Sequence, residues 1–339
     1  MNPLNIAIVG LGRLGKRHAL NLQHRIPNAQ ITLACSPIKE ERDWAQTHLS
    51  EHVRCTDNYD DVLNDDSIQA IVLVTPTTLH ASQIIAAIAT GKHVFCEKPL
   101  ALNLDDCFKV EQAAAARPDL KVMIGFVRRF DPSYYDAWQA IQNNAIGEPF
   151  FIRSQTCDQL DPTGAFVKFA ATSGGIFMDC SVHDIDLARW FLGNPQPVRA
   201  YATGVISHHP ELAAIGDVDN GTATVEFDNG SMAQFYTSRT FAHGHDTHTE
   251  IIASHGNLHI GLGAHNNRVQ YATAQGIGHT TTPDFFERFK EAFFLELDNF
   301  VHCVQHDLPL RLSLSDATQA ARIGLGITTS LHTQAVFHF

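Results

Sequence analysis

An aspartate and a histidine four residues apart, Asp179 and His183, are the first pair in this sequence that could do chemistry. They lie in the segment Ser173 to Leu192, where two glycines precede apolar residues at helical spacing. The spacing predicts one helix with both side chains on the same face. A neutral histidine can take a proton near pH 7, and a neighbouring carboxylate can orient it or hold the hydroxyl on which it acts.

An alternative interpretation of the same segment is an ordinary amphipathic helix. In that case Asp186 and Arg189, three residues apart, form a surface pair, and Asp179 and His183 are solvated polar residues. The pair alone does not decide between the two interpretations, because isolated motifs often match by chance. The decision depends on the elements that would have to position these side chains.

The composition excludes several classes of protein. The 339 residues are 44% hydrophobic and 18% charged, which suits two domains that each bury a core. A formal net charge of -12 argues against a nucleic-acid or anionic-membrane partner. Because no apolar run approaches the ~18 residues of a membrane helix and no signal-peptide pattern is present, we expect a cytoplasmic protein. The 7 cysteines are scattered without Cys-x-x-Cys spacing, which predicts buried thiols.

A glycine motif near the start predicts a dinucleotide site. A β-rich run, Asn5 to Val9, leads into glycines with Gly-x-Gly-x-x-Gly spacing and then into a helical stretch. The first glycine permits a tight turn, the second lets the backbone approach a pyrophosphate, and the third allows close packing of helix on strand. The helix N-terminus adds amides and a positive dipole. The cofactor-binding residues predicted here are Gly10, Gly12, Arg13, Leu14 and Gly15.

The end of the second predicted strand bears on the choice between NAD and NADP. An acidic residue usually stands there and binds the ribose hydroxyls, but this chain has Ser36. Serine does not repel a 2′-phosphate, and Lys39 or Arg42 could neutralise one, which favours NADP or dual use. Since Glu40 and Glu41 oppose a phosphate, the preference is slight and the prediction is NAD or NADP.

Two later loops follow predicted parallel strands and should border the cofactor, because ligands of such sheets bind at the carboxyl ends of strands. The second loop contains Lys98. In a desolvated cleft this lysine could polarise an oxygen or relay a proton, whereas on the surface it would be one more solvated charge. Six strands in residues 1–125 predict an α/β fold with a doubly wound parallel sheet. The cofactor candidates in these loops are Thr75, Pro76, His80, Glu97 and Lys98.

Taken in order, these motifs resemble the Gfo/Idh/MocA oxidoreductases, the family of glucose-fructose oxidoreductase and inositol dehydrogenase. The resemblance runs over essentially the whole chain. Its segments are Gly10–Gly15, Thr75–His80, Glu97–Leu100, Gly125–Asp131, Gly174–His183 and Gly244–Gly256. It implies that Lys98, Asp179 and His183 form the catalytic group beside the nicotinamide. Ser36 departs from the pattern, since inositol dehydrogenases that use NAD usually have an acid there.

The resemblance also implies a reaction, the reversible oxidation of a secondary alcohol of a cyclic polyol or sugar, with myo-inositol or scyllo-inositol as the expected substrate and an inosose as the product. His183 takes the hydroxyl proton, Lys98 stabilises charge on that oxygen, and Asp179 orients the imidazole while a hydride passes to the nicotinamide. Two alternatives stay open: a sugar dehydrogenase or reductase of the same family, and a non-catalytic dinucleotide-sensing regulator.

Residues 126–339 are predicted to form an α+β domain for substrate binding and oligomerisation. Alternating or β-branched runs between residues 150 and 272 predict a large, mostly antiparallel sheet, with hairpin turns at Asp228–Gly230 and Ser254–Asn257. Helices are predicted over Asp284–His306 and Ser315–Thr333. An open sheet must be covered on one face, and the resemblance implies that sheets pack together in a homo-oligomer, a dimer or a tetramer.

A histidine-rich stretch contains His243, His245 and His248. It lacks acidic or cysteine partners at ligand spacing, so we interpret it as a polar loop near the substrate and predict no metal site. The predicted substrate-binding residues are Arg128, Asp158 and His245.

Overall fold

The computed structural model describes residues 2–339, residue 165 without its side chain. The chain divides into two compact units. The first comprises Met1–Val127 and Glu291–Thr318, and the second comprises Arg128–Lys290 and Gln319–Phe339. The predicted functional domains, residues 1–125 and 126–339, stay a prediction, because compactness does not show what each part binds. Over the described range, no helix combines the length and the apolar character that crossing a bilayer requires.

The first unit is built on a six-stranded, wholly parallel sheet with the order β3-β2-β1-β4-β5-β6. This order confirms the predicted doubly wound fold, in which strands are added to one side from β1 to β3 and to the other side from β4 to β6. The elements are β1 (Leu4–Val9), α1 (Arg13–Arg25), β2 (Ala29–Cys35), α2 (Lys39–His48), β3 (Arg54–Thr56), α3 (Tyr59–Leu63), β4 (Ala70–Leu73), α4 (Thr77–Ala89), β5 (His93–Glu97), α5 (Leu104–Ala115) and β6 (Val122–Gly125).

The centre of this sheet is apolar because both of its faces are covered. Every residue of β4 is buried, as is every residue of β1 except Asn5. The glycines after β1 permit helix α1 to approach the sheet. A Cβ atom at Gly10 would lie 2.4 Å from the carbonyl oxygen of Val74, and one at Gly15 would lie 2.0 Å from that of Gly10. Both positions therefore exclude any larger residue.

The second unit contains a seven-stranded sheet with the order β12-β11-β7-β10-β9-β8-β15. All neighbours are antiparallel except β7 and β10, so the predicted mostly antiparallel sheet is confirmed. The remaining elements are α6 (Pro132–Gln142), β7 (Pro149–Gln159), α7 (Ala165–Ser173), α8 (Ile176–Asp179), α9 (Val182–Phe191), β8 (Pro197–Val205), β9 (Asn220–Phe227), β10 (Met232–Phe241), β11 (Asp246–Ala253), β12 (Gly256–Ile260), β13 (His265–Thr273), β14 (Gly276–Thr281), α10 (Phe285–Arg288), α11 (Lys290–His306), α12 (Leu314–Thr333) and β15 (Phe337–His338).

Several local predictions need correction. The single helix expected after the two glycines of the segment 173–192 is divided. The Ser181 amide points back five residues to the Ile176 carbonyl, at 3.4 Å, and widens the turn between α8 and α9. The helix expected over residues 284–306 is interrupted at Phe289. Strands β14 and β15 lie outside the predicted runs. The two predicted hairpin turns are confirmed, since they join β9 to β10 and β11 to β12.

Candidate active site

The glycine loop lies at the carboxyl end of β1, where Gly12 precedes the first turn of α1. Unlike Gly10 and Gly15, Gly12 has open space above it. A Cβ atom there would meet only Glu41 Oε1 within 4 Å, at a distance of 3.9 Å. This backbone can therefore be approached by a phosphate, and the amides and dipole at the start of α1 favour an anion. The loop fits the pyrophosphate of a dinucleotide.

At the end of β2 the structure brings the carboxylate of Glu41 to Ser36. The Glu41 carboxylate reaches back to the turn, where Oε2 accepts hydrogen bonds from the Ser36 hydroxyl at 2.6 Å and the Leu11 amide at 3.1 Å. This end of the strand therefore does carry a carboxylate beside Ser36. The slight preference for NADP inferred from Ser36 stays a prediction.

The loop after β4 is tied to the loop after β5 by His80. Its Nδ1 lies 2.8 Å from the Pro99 carbonyl oxygen and its Nε2 lies 2.9 Å from that of Thr75. Burial lowers the pKa of His80, and the two carbonyl oxygens that face its ring nitrogens act in the opposite direction. His80 thus links the two loops. That Thr75, Pro76 and His80 bind the cofactor stays a prediction.

The loop after β5 carries Lys98, which is half-buried and precedes a cis-proline. Glu97 supports this loop, since its Oε2 accepts from the Lys98 amide at 3.2 Å and its Oε1 lies 2.7 Å from His18 Nε2. Glu296 of α11 lies beside this pair. One ligand atom from each of His18, Glu97 and Glu296 lies within 4.8 Å of the others, the one grouping in residues 2–339 with the spacing of a metal site.

The hydrogen bond within this buried grouping joins His18 and Glu97, and the carboxyl of Glu296 faces the charge on Glu97. Burial raises the pKa of Glu296 well above its usual value, with the charge on Glu97 acting in the same direction. The raised pKa favours the neutral, protonated form of the Glu296 carboxyl in this buried site. The rings of Phe95 and Phe293 pack against His18 and keep the site apolar.

In the second unit, His183 occupies an unusual place on α9. All the other residues of Val182–Phe191 are buried, and His183 alone is half-buried. A helix surrounded by protein on every face does not fit the interpretation of a solvated amphipathic helix. The imidazole is the one group through which α9 reaches a surface.

Asp179, at the end of α8, is held by an arginine that the sequence interpretation missed. Arg239 Nη2 forms a close ion pair with Asp179 Oδ2, and Nη1 lies 3.6 Å from Asp158 Oδ2. His245 Nδ1 lies 2.9 Å from Asp158 Oδ1. The structure thus groups Asp179, Arg239, Asp158 and His245 in one polar cluster. The available signal in the sequence was an arginine between hydroxyl-bearing residues near the end of a β-rich run.

The cluster is strongly charged. Burial opposes ionisation of Arg239, but Cys180, Asp179 and Asp158 together raise its pKa. Burial also opposes ionisation of Asp158, yet the hydrogen bond from His245 and the charges of His245 and Arg239 lower the pKa of Asp158 overall. Asp158 therefore keeps a negative charge at neutral pH, and such a group can accept hydrogen bonds from hydroxyl groups.

Two buried ion pairs fix the orientation of α9. Arg128 donates to Asp184 Oδ1 at 2.7 Å and to Thr156 Oγ1 at 2.6 Å. Arg129 forms a bidentate ion pair with Asp186, in which Nε donates to Oδ2 at 2.8 Å and Nη2 donates to Oδ1 at 2.6 Å. The alternative interpretation of Asp186 and Arg189 as a surface pair is wrong, because both side chains are buried. That Arg128 binds substrate stays a prediction, and in this structure its guanidinium anchors α9.

The histidine-rich stretch does not converge on one point. His245 contacts Asp158, His248 stacks on His259, and His243 packs against Phe241. Lys98 belongs to the first unit, whereas Asp179 and His183 belong to the second. Their action as one catalytic group stays a prediction.

Two protein-family models match this chain. A model described as "Oxidoreductase family, NAD-binding Rossmann fold" matches residues 4–126, and the "GFO/IDH/MocA C-terminal domain" matches residues 134–259. The chain belongs to the Gfo/Idh/MocA family of oxidoreductases. Membership confirms the resemblance seen in the sequence, and it assigns the glycine loop of this oxidoreductase to an NAD-binding fold.

Relatives of this Gfo/Idh/MocA oxidoreductase match along its whole length. A scyllo-inositol 2-dehydrogenase (NAD(+)) of Bacillus subtilis (strain 168) is 37% identical over 97% of this chain and 94% of its own. A myo-inositol 2-dehydrogenase of Thermotoga maritima is 30% identical over 97% of this chain and 96% of its own. The crystal structure of Lactobacillus casei scyllo-inositol dehydrogenase, with bound NAD(H) and scyllo-inositol, matches with a TM-score of 0.95 at 35% identity and covers 99% of each chain.

Proposed function

We propose that this oxidoreductase is an NAD-dependent inositol dehydrogenase that oxidises one ring hydroxyl of scyllo-inositol or myo-inositol to a ketone, giving an inosose. The observation that carries the proposal is the single half-buried histidine of α9, beside a helix end whose Asp179 is fixed by Arg239. The full-length similarity to inositol dehydrogenases supports the substrate class.

In the proposed mechanism the chain's residues handle the proton and the substrate hydroxyls. His183 takes the proton of the reacting hydroxyl as general base. Lys98 donates a hydrogen bond to the same oxygen and stabilises the charge that develops on it. Asp179 orients His183, and the Arg239 pair keeps that carboxylate in one position. Bound NAD supplies a nicotinamide that accepts the hydride.

The polar cluster suits a polyol, because a polyol presents many hydroxyls in a fixed array. Asp158 and His245 supply an acceptor and a ring that can exchange hydrogen bonds with those hydroxyls. A site built to bind hydroxyls discriminates strongly against substrates that lack them, since its buried polar groups are then left unpaired.

We also propose that the protein acts in the cytoplasm as a homo-oligomer. All 7 cysteines, each within the described residues, are free thiols, which is typical of a reducing compartment. The exposed face of the large sheet carries apolar side chains that a second copy could cover, with Tyr201 48% exposed and Tyr236 37% exposed. Light scattering coupled to size-exclusion chromatography tests the assembly, and a monomer at micromolar concentration contradicts it.

The function is tested by absorbance of the reduced nicotinamide, with NAD or NADP and a panel of inositols and aldoses. We expect turnover with NAD and an inositol. Turnover with an aldose alone would favour a sugar dehydrogenase of the family. Cofactor binding without turnover of any polyol would favour a dinucleotide sensor and would contradict the proposal.

A further inference from the structure

We propose that Glu41 is the residue that makes this enzyme select NAD over NADP. It supplies from the first turn of α2 the carboxylate that the sequence lacks at position 36. The inference rests on the proposed function, because it assumes that a nicotinamide dinucleotide binds at the glycine loop. Nothing in the strand–turn motif assigns a role to residue 41, which lies five residues beyond the expected position.

The carboxylate joins the two segments between which a dinucleotide must lie. Oε2 accepts from Leu11 of the glycine loop at 3.1 Å and from Ser36 at the end of β2 at 2.6 Å. Both donors come from the carboxyl ends of neighbouring parallel strands, β1 and β2. In a doubly wound sheet the adenosine ribose of the cofactor binds at this edge.

The second carboxylate oxygen faces the open side of the loop. Oε1 lies 3.9 Å from the position a Cβ atom would take on Gly12, the residue whose backbone is open to a phosphate. Both hydrogen bonds that the described residues donate to Glu41 go to Oε2. Oε1 is therefore the acceptor directed at a ligand on the glycine loop, and a ribose 2′-hydroxyl is a donor of the required kind.

Ser36 has a positioning role in this arrangement. Its hydroxyl donates to Glu41 and accepts from the Ile38 amide at 3.1 Å. Because its single proton points at Glu41, the hydroxyl does not serve as a donor to a phosphate. Ser36, the residue that suggested NADP in the sequence, thus holds the Glu41 carboxylate, which disfavours NADP.

The cations that could have neutralised a 2′-phosphate are engaged elsewhere. Lys39 pairs with Asp43 at 2.6 Å. Arg42 donates to the Ser36 carbonyl oxygen at 2.7 Å and lies 3.8 Å from Asp57. A 2′-phosphate of charge near −2 would therefore meet the Glu41 carboxylate with neither cation directed at it.

The test is the affinity for NAD and NADP, measured without substrate by calorimetric titration of wild type, Glu41→Gln and the matched control Glu40→Gln. Glutamine preserves the size of the side chain and an acceptor for Leu11 and Ser36, so the fold is expected to survive, which circular dichroism and a thermal midpoint will check. Glu40 is exposed on the same turn of α2.

We expect Glu41→Gln to bind NAD about 10- to 100-fold more weakly, because a charge-assisted hydrogen bond is lost. We expect it to bind NADP about 10-fold more tightly, because the repulsion is removed. Glu40→Gln should match wild type for both. Ser36→Ala should weaken NAD binding by a few fold without improving NADP binding, since the carboxylate remains.

An unchanged ratio of NAD to NADP affinity in Glu41→Gln, with NAD still bound by wild type, would overturn this inference and leave the proposed function intact. Wild type that prefers NADP would also overturn it. Wild type that binds neither dinucleotide would overturn the inference and the proposed function together.

Discussion

Asp186→Asn tests the claim that buried ion pairs hold α9 and thereby present His183. Asp186 and Arg129 are both 2% exposed and are joined by two hydrogen bonds of 2.8 and 2.6 Å. Asparagine has nearly the same shape, so packing is preserved. The substitution removes the negative charge and leaves the guanidinium in the protein interior with its countercharge gone.

Removing one partner of a buried pair typically costs about 3–5 kcal/mol, because the remaining charge stays desolvated. The asparagine carbonyl still accepts one hydrogen bond, and the Arg129 guanidinium also lies over the Trp190 ring, 5.3 Å from its centroid. We therefore expect a loss near the lower limit, about 3 kcal/mol. This is a large part of the roughly 5–15 kcal/mol by which a domain is usually stable.

The assay is urea unfolding followed by tryptophan fluorescence. Trp190 lies on α9 and stacks on Trp138 with ring centroids 5.2 Å apart, so its emission reports on this region. The control is Glu287→Gln, which breaks an exposed pair with Lys290 at 4.0 Å and should leave the midpoint unchanged. An Asp186→Asn protein whose free energy of unfolding is within about 0.5 kcal/mol of wild type would refute the reasoning.

Two further predictions concern the first unit. Burial raises the pKa of Glu296 well above its usual value of 4.5. The stability that this residue contributes is therefore fully present below that value and is lost as pH rises through the folded pKa. The thermal midpoint of wild type should fall relative to that of Glu296→Gln as pH rises above about 5, and parallel curves would contradict a raised pKa. Gly12→Ala should keep the thermal midpoint, because the added Cβ has room. It should weaken NAD binding by at least about 10-fold, because the methyl group blocks the approach of the pyrophosphate. Unchanged affinity in calorimetric titration would show that the cofactor does not lie on Gly12.

Local patterns were sufficient to predict the nucleotide-binding fold. The glycine spacing after β1 reflects a contact between neighbouring segments, since the Cβ clash at Gly15 is with Gly10 itself. Continuous apolar runs such as β4 predict a sheet buried on both faces because they need no distant partner to be recognised. The same holds for the hairpin turns of the second sheet.

The functional partners that were missed are distant in sequence. Arg239 is 60 residues from Asp179, and Arg129 is 57 residues from Asp186. No periodicity links such positions, so Asp186 looked like half of a local pair with Arg189. The contact of Glu41 with the glycine loop was not predicted for a related reason, because the Leu11 amide from which it accepts lies 30 residues away.

The central claim is that His183 removes the proton in an NAD-dependent oxidation of an inositol. It is tested most directly by the rate of nicotinamide reduction at saturating NAD and inositol, for wild type and His183→Asn, with NAD affinity measured in parallel. The account predicts that kcat falls by about 10²- to 10⁴-fold in the variant while NAD affinity stays within about twofold. Turnover at the wild-type rate in His183→Asn would contradict it.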